Sequence, residues 1–305
     1  MEHKPVNNML LDDSCFWILD KCPWDEYKSE DSELLYRDIY GSDVVRCNKC
    51  GCVYAKRRLN KHGLEVYWEN YSSRCHTADE SLNEQRAGMY QIDFSYINQF
   101  MDKTESPHVL DVGCGEGDFL DIFEKAGYVT AGIEYGHEAA EIAAKKHKVW
   151  EGDLSTLDID AYFDLIIFRG VLQYLPDVKA NLKKAVEILN DGGYIYITAQ
   201  PNMNSLCAKL FKDKFALGVS SSDFIGLNEG IITEYFSALG GVKQIGSKYF
   251  YEETPYADVE NDIMRVAKAI ELNKNGKEIN FSAPAFWGNM MSLVYRKKDN
   301  QREEK

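Results

Sequence analysis

A glycine cluster that directly follows an apolar strand pattern constrains this chain more than any other feature. The β-branched and apolar run of residues 108–112 stops at Gly113, and an amphipathic helical pattern starts at Phe119. Glycine is needed in such a tight turn because a Cβ would block positive φ and hold a ligand away from the backbone amides. The spacing is G-x-G-x-G with Asp111 before it and Glu116 inside it, whereas dinucleotide binders read G-x-G-x-x-G. Carboxylates at the mouth of the turn favour a cationic ligand over a pyrophosphate.

The stretch Val109–Leu120 resembles motif I of the class I, Rossmann-like S-adenosylmethionine (SAM) methyltransferases, D-x-G-x-G-x-G, at every defined position. Further segments follow in the family's order between residues 80 and 200. They are a strand ending in Glu134, the turn Glu151–Leu154, a strand Phe163–Phe168 with the segment Arg169–Asp177 after it, and the turn and strand Leu189–Ile197. The resemblance implies a chain that binds SAM and releases S-adenosylhomocysteine (SAH).

The resemblance also implies roles for individual residues. Glu134 is expected to accept from the ribose hydroxyls, and Asp153 is expected to approach the adenine amino group. Arg86 and Tyr90 lie one turn apart on a helix predicted for Leu82–Phe100, where relatives contact the methionine carboxylate, although Arg86 would fit an exposed position equally well. The residues expected at the cofactor are Asp111, Gly113, Cys114, Gly115, Glu134, Tyr135, Asp153, Leu154, Arg169, Gly170, Gln173, Arg86 and Tyr90.

Strand and helix patterns alternate from residue 107 onward, which predicts a parallel sheet with right-handed crossovers. We predict helices at His137–His147, Asp177–Leu189 and Ile231–Leu239, and strands six and seven at Val242–Phe250 and Phe286–Tyr295. The expected fold class is α/β, a Rossmann-like seven-stranded methyltransferase sheet with strand seven antiparallel and helices on both faces, plus a small Cys-rich N-terminal module. The expected domains are the module, 1–78, and the methyltransferase domain, 79–305, with an insertion at 202–230.

The composition of the chain limits the classes of partner that it is expected to bind. A chain of 305 residues that is 45% hydrophobic can bury one core and a small accessory unit. The formal net charge of −14 argues against nucleic acid as a partner, because such binding relies on Lys and Arg that neutralise phosphates. No apolar run reaches the length of a membrane span, and residues 1–8 lack the pattern of a signal peptide, so a cytoplasmic protein with a small-molecule acceptor is expected. The oligomeric state stays open.

Six of the eight cysteines lie in the first 78 residues. Cys47 and Cys50 form a C-x-x-C-G knuckle, which can direct two thiolates to one metal ion. In a reducing cytoplasm a metal is favoured over a disulfide. A structural zinc needs four ligands, and no second C-x-x-C exists, so Cys15 and Cys22 are the candidates to complete the set. His62, Cys75 and His76 are further candidate ligands, and the alternative is a remnant that binds no metal.

The same region carries a second resemblance. Val45–Tyr54 and Val66–Tyr71 are similar to the Cys-rich N-terminal module of bacterial methyltransferases that act on sugars and surface glycans, except that the module's first C-x-x-C is replaced by Cys15 and Cys22. This resemblance implies a sugar, nucleotide sugar or glycan precursor as acceptor, methylated on oxygen or nitrogen. The alternatives are a methyltransferase for a different small metabolite and a non-catalytic SAM-binding scaffold.

Methyl transfer depends mainly on positioning, but a hydroxyl acceptor also needs a base. Many relatives have His where this chain has Tyr174, which weakens a simple His-base mechanism and keeps N-methylation open. The catalytic candidates are Tyr174, His76 and Glu253, with His62, Asp223 and Glu229 as further candidate bases.

Overall fold

The computed structural model describes residues 11–70, 80–102 and 105–299. The strands are β1 (Phe16–Ile18), β2 (Glu33–Arg37), β3 (Asp43–Arg46), β4 (Val53–Ala55), β5 (Arg57–Leu59), β6 (His108–Val112), β7 (Val129–Glu134), β8 (Lys148–Glu151), β9 (Phe163–Arg169), β10 (Leu189–Pro201), β11 (Ile225–Gly226), β12 (Val242–Lys248) and β13 (Met290–Lys297). The helices are α1 (Lys61–Asn70), α2 (Glu80–Ile97), α3 (Asp118–Lys125), α4 (His137–Ala143), α5 (Val178–Glu187), α6 (Leu206–Phe211), α7 (Glu229–Leu239) and α8 (Val259–Lys274).

The chain divides into two compact units. Unit 1 comprises residues 1–70, 201–232 and 249–291, and unit 2 comprises residues 71–200, 233–248 and 292–305. Residues 1–70 of the predicted module 1–78 belong to unit 1. The predicted insertion 202–230 groups with them in that unit, and the division into two domains stays a prediction.

Unit 2 is built on a seven-stranded sheet in the order β12-β13-β10-β9-β6-β7-β8. Strand β6 pairs in parallel with β7 and β9, β7 pairs in parallel with β8, and β9 with β10. Strand β13 runs antiparallel to β12 and β10. The predicted Rossmann-like sheet with an antiparallel seventh strand is confirmed.

The helices of unit 2 are placed by local signals and by apolar faces. Helix α5 begins after Asp177, whose carboxylate caps it by accepting from the amide of Ala180. Helix α3 buries one face against the sheet, and Phe123 contacts the rings of Phe94 and Tyr128 edge-on. The buried core of this unit contains Ile97, Val109, Cys114, Phe119, Leu120, Phe123, Tyr128, Ala143, Leu165, Ile167, Tyr194, Tyr196 and Val294.

Unit 1 contains two small antiparallel sheets, β1-β5 and β11-β4-β3-β2. Its core combines residues from β3, β4, α6 and α8, and includes Val44, Val53, Ala55, Met203, Cys207, Ala208, Phe211, Phe215, Val219, Val266 and Ala269. Within the described residues of both units, no helix combines the length and the apolar character needed to cross a lipid bilayer.

Several predicted boundaries shift. The helix expected at His137–His147 ends at Ala143, because His147 turns inward and bonds Asp121 and Thr130. Strand seven begins at Met290 rather than Phe286. Helix α8 is not among the predicted elements, and the predicted insertion 202–230 contains α6 and β11.

Candidate cofactor site and metal centre

The glycine loop between β6 and α3 keeps its backbone open. All three glycines have positive φ, 80° at Gly113, 55° at Gly115 and 91° at Gly117. A Cβ at Gly113 would lie 2.7 Å from a methyl group of Val171, whereas a Cβ at Gly115 would meet no atom within 4 Å. The amide of Gly113 donates to the carbonyl of Ile133 over 2.7 Å, which fastens the loop to β7. The loop is thus fixed on one side and open for a ligand at Gly115.

Glu134, the last residue of β7, lies at the mouth of this loop. Its Oε2 accepts from the amide of Gly115 over 2.8 Å, and its Oε1 accepts from the amides of Tyr135 and Gly136, each over 2.8 Å. Three N–H groups therefore fix the carboxylate in place. Because a carboxylate oxygen has two acceptor positions, Oε2 can also accept from a ligand hydroxyl.

Asp111 is the buried carboxylate beneath the loop. It is 2% exposed, and its Oδ1 has no hydrogen-bond partner among the described residues. Burial raises the pKa of Asp111 to about 7, the charge of Glu134 raises it further, and Arg169 opposes the shift. A buried carboxylate with an unpartnered oxygen fits a ligand that brings a positive charge, such as the ammonium group of SAM.

Arg169 ends β9 beside the same region. Its guanidinium carbon lies 4.3 Å from the centre of the Tyr90 ring and 5.7 Å from that of Phe119. Burial raises the pKa of Tyr90, and the charges of Arg169 and Arg86 act in the opposite direction. The structure therefore brings Tyr90 and Arg169 into direct contact. The partner of Arg169 that the sequence did not indicate is Asp93 on α2, whose Oδ2 lies 2.9 Å from Arg169 Nε.

Asp153 follows β8, next to the fully buried Leu154. Its Oδ1 accepts from the amide and the hydroxyl of Ser155 and from the side-chain amide of Asn181, the last over 3.2 Å. Asn181 on α5 thereby orients Asp153, the residue expected to contact the adenine amino group. Only the fold reveals this contact, because Asn181 and Asp153 lie far apart in sequence.

The segment after β9 carries the remaining cofactor candidates. Gly170 has a φ of 61° and donates its amide to the carbonyl of Thr198 over 2.9 Å. Gln173 donates its side-chain amide to the carbonyl of Gly170 over 2.9 Å, and its buried Oε1 has no partner within the described parts of the chain. Cys114 is buried, and burial raises the pKa of its thiol above the usual range, which disfavours the reactive thiolate.

The three catalytic candidates come from different parts of the chain. Tyr174 lies half-buried in the short 3-10 helix Leu172–Tyr174 of unit 2. Glu253 belongs to unit 1, is exposed, and accepts from the amide of Tyr251 over 3.4 Å. His76 lies outside the described residues, as does Cys75. The base therefore remains a prediction.

A second site lies in unit 1, where two turns converge. Cys22, Asp25, Cys47 and Cys50 place one ligand atom each within 4.8 Å of all the others. The sulfur atoms of Cys22 and Cys50 are 3.8 Å apart, and the Cys47 sulfur lies 3.6 Å from each oxygen of Asp25. A tetrahedral zinc site with Zn–S bonds of about 2.3 Å and Zn–O bonds of about 2.1 Å has edges of ~3.8 and ~3.6 Å. The donor set fits zinc.

The two turns share one hydrogen-bonding pattern. In the turn 47–52, the amide of Cys47 donates to the carbonyl of Cys52, and the amide of Gly51 donates to the carbonyl of Cys47, both over 2.9 Å. In the turn 22–27, the amide of Cys22 donates to the carbonyl of Tyr27 over 2.7 Å, and the amide of Glu26 donates to the carbonyl of Cys22 over 3.0 Å.

Equivalent positions also share a backbone conformation, since Glu26 has a φ of 60° and Gly51 a φ of 76°. Asp25 thus occupies the position that Cys50 holds in the knuckle. The sequence did not single out Asp25, although the spacing Cys22-x-x-Asp25 would have identified it. Cys15 was expected in the ligand set, but it is not a member of this cluster; it is buried, and its carbonyl accepts from Asn60.

Comparison with known proteins agrees with the fold. A family model described as a methyltransferase domain matches residues 82–230, just under half of the chain. The ubiquinone biosynthesis O-methyltransferase of Coxiella burnetii is 28% identical over 112 residues, which are 34% of this chain and 47% of that protein. The chain thus spans about half the length of the curated relatives it matches.

Two solved structures share the fold at low identity. The plantazolicin methyltransferase BpumL, in complex with SAH, aligns with 77% of this chain and 94% of its own at 15% identity and a TM-score of 0.50. A chain from the complex between the Haloferax volcanii Trm112 methyltransferase activator and a methyltransferase aligns with 77% of this chain and 97% of its own at 15% identity and a TM-score of 0.52. Residues 82–230 therefore match a methyltransferase domain in sequence, within a Rossmann-like fold that these two methyltransferase structures share.

Proposed function

We propose that this protein transfers a methyl group from SAM to a small acceptor, namely a sugar, a nucleotide sugar or a glycan precursor. The proposal that SAM is the methyl donor rests on one observation, the unpartnered, buried oxygen of Asp111 beneath an open glycine loop. That arrangement needs a ligand with a cationic group, and SAM has one in its methionine ammonium. The match of residues 82–230 to the methyltransferase domain family supports the same ligand.

When bound, SAM supplies an electrophilic methyl group on a sulfonium. The residues of this chain bind SAM and orient it. Asp111 holds the ammonium, Glu134 accepts from the ribose hydroxyls at the mouth of the loop, and Asp153, oriented by Asn181, accepts from the adenine amino group. Positioning of this kind supplies most of the rate in a transfer between two bound partners. In open α/β sheets such a site lies beyond the carboxyl ends of the strands, where β6, β7 and β8 end.

The proposal of a sugar-type acceptor rests on the resemblance of the N-terminal region to sugar and glycan methyltransferases, which is an argument by analogy. O-methylation is supported by the name of the Coxiella relative, an O-methyltransferase. That relative's name, which refers to ubiquinone biosynthesis, also favours the second candidate, a methyltransferase for a different small metabolite. An acceptor with an acidic hydroxyl would need only a weak base, which suits a segment with Tyr174 in place of His.

We also propose that unit 1 holds one zinc ion on Cys22, Asp25, Cys47 and Cys50. The support is the set of distances among these ligand atoms and the repeated turn pattern that brings them together. A zinc held by three thiolates requires reduced cysteines, so a reducing compartment such as the cytoplasm is part of this proposal. The metal's role is structural, since four protein ligands leave no open coordination position.

The deciding experiment is a calorimetric titration of the full chain with SAH, repeated in the presence of individual nucleotide sugars. Binding of SAH that tightens with one nucleotide sugar would support both halves of the proposal. SAH binding that no sugar changes would keep the cofactor and favour the second candidate. Absence of SAH binding would overturn the proposal. SAH binding without methyl transfer to any class of acceptor would favour a scaffold that binds SAM without turnover.

A further inference from the structure

Asp93 is a fully buried carboxylate on α2, the helix that precedes the sheet of unit 2. Its neighbours along the buried face of the helix, Met89 and Ile97, are apolar. A carboxylate in such surroundings is costly unless hydrogen bonds and an opposite charge compensate it. An acid at this position therefore calls for a specific explanation.

The compensation comes from three partners. Asp93 Oδ2 lies 2.9 Å from Arg169 Nε, and Asp93 Oδ1 accepts from the hydroxyl of Thr198 over 2.9 Å and from that of Tyr196 over 3.4 Å. The Thr198 hydroxyl is itself held by Ser292 at 2.6 Å. Burial raises the pKa of Asp93 and the charge of Arg169 opposes this. The carboxylate is fixed from the sheet side by hydroxyls and directs its other oxygen to Arg169.

Arg169 is therefore held at one place. Its Nε bonds Asp93 while its guanidinium lies over Tyr90, and only 16% of its side chain is exposed. A guanidinium restrained by a hydrogen bond in its plane and a ring on its face has little freedom left. The position matters because the charge of Arg169 acts on Asp111, whose Oδ1 has no partner among the described residues.

Strands β6 and β9 pair in parallel up to Val112 and Phe168, so Arg169 follows at the same edge of the sheet as the glycine loop, and its charge acts on Asp111. We propose that Asp93 is a positioning residue that holds Arg169 where its guanidinium receives the α-carboxylate of a SAM methionine, while Asp111 receives the α-ammonium. The inference rests on the proposed function and extends it, because it assigns the amino-acid end of the cofactor to a pair of opposite charges and names the buried acid that fixes one of them. An amino-acid zwitterion is the ligand group that matches such a pair.

The test compares SAH with 5′-methylthioadenosine, which keeps the adenosine and the thioether but lacks the amino-acid part. We expect Asp93→Asn to weaken SAH binding by about ten- to a hundredfold, the range for loss of a charged hydrogen bond, and to change 5′-methylthioadenosine binding less than about twofold. Arg169→Met should do the same. Asp102→Asn is the matched control, since it breaks a different Asp–Arg pair of the same unit, the exposed pair of Asp102 with Arg296, and we expect the ratio of the two affinities to stay within about threefold of the wild type.

The outcomes distinguish a failure of this inference from a failure of the proposed function. If Asp93→Asn weakens both ligands equally, or leaves their ratio unchanged, Asp93 only braces the fold and the inference is overturned. If that variant fails to fold by its thermal melt, the half-buried Arg169→Met variant decides in the same way. If the wild type binds neither ligand, the proposed function fails, which is a different result from a wild type that binds SAH with a ratio that no variant alters.

Discussion

The amide of Gly115 donates to the carboxylate of Glu134 over 2.8 Å, which joins the glycine loop to the end of the neighbouring strand. The Glu134 side chain therefore holds the glycine loop in place, and in the proposed function it also accepts from the ribose hydroxyls.

Replacement of Glu134 by Ala should weaken SAH binding by ~1–3 kcal/mol, because the ribose loses a charged acceptor and the loop loses its tie. The measurement is a calorimetric titration of both proteins at the same pH. Glu187→Gln, an exposed change on α5 of the same unit, is the control and should leave the affinity unchanged. A Glu134→Ala variant with wild-type affinity would contradict the placement of the ribose.

Asp111 should make the stability of the ligand-free protein depend on pH. Its folded-state pKa is raised to about 7 from 3.8, and the charged groups that act on it are Arg169 and Glu134. Because the folded pKa lies above the unfolded one, the folded state binds the proton more tightly, and this contribution to stability is lost as the pH rises from about 4 through about 7. Asp111→Asn lacks this loss, so we expect it to be more stable than the wild type at pH 8 by up to about 4 kcal/mol.

Urea unfolding of the wild type and Asp111→Asn at pH 5 and pH 8 measures this difference. An equal difference in unfolding free energy at both pH values would show that Asp111 is not the titrating group. In the same variant SAH should bind more weakly at pH 8, since the neutral amide cannot balance the ligand's ammonium.

Gly113 should be irreplaceable for a reason that Gly127 does not share. Both have positive φ, 80° and 92°, but a Cβ would lie 2.7 Å from Val171 at Gly113 and would meet no atom within 4 Å at Gly127. Gly127→Ala should therefore cost only the ~1–2 kcal/mol of a left-handed backbone. Gly113→Ala should cost clearly more and should weaken SAH at least about tenfold. Thermal melts and SAH titrations of the two variants check this, and equal costs would contradict the role of Val171.

The metal centre predicts a graded response in zinc content. Elemental analysis should find about one zinc per chain, lost in the double variant Cys47→Ser with Cys50→Ser. Asp25→Ala should lower the zinc affinity, whereas Asp25→Cys should raise it, since it restores a four-thiolate set. Cys15→Ala is the matched control and should keep the full zinc content, because Cys15 lies outside the cluster. Full zinc content in the double variant, or loss in Cys15→Ala, would overturn the assignment.

The sequence alone determined the glycine loop and the alternation of strands and helices, and its resemblance to the SAM methyltransferases implied the antiparallel seventh strand. The loop and the alternation follow from local rules. Glycines at fixed spacing and apolar runs of strand length specify their own conformations, and the right-handed crossover then leaves few topologies for alternating strands and helices. The acids at strand ends, Asp111 and Glu134, could be named for the same reason, since they are placed by the strands themselves.

Only the tertiary structure decided which distant residues meet. Asp25 joins Cys47 because two turns of the same pattern converge, Asn181 orients Asp153 across a helix, and Asp93 reaches Arg169 although 76 residues separate them. The grouping of residues 201–232 and 249–291 with the N-terminal residues likewise depends on the tertiary structure. Such pairings arise from packing between elements, whose side chains meet only after the chain has folded, and a local pattern in the sequence carries no information about which distant partner will fill the space.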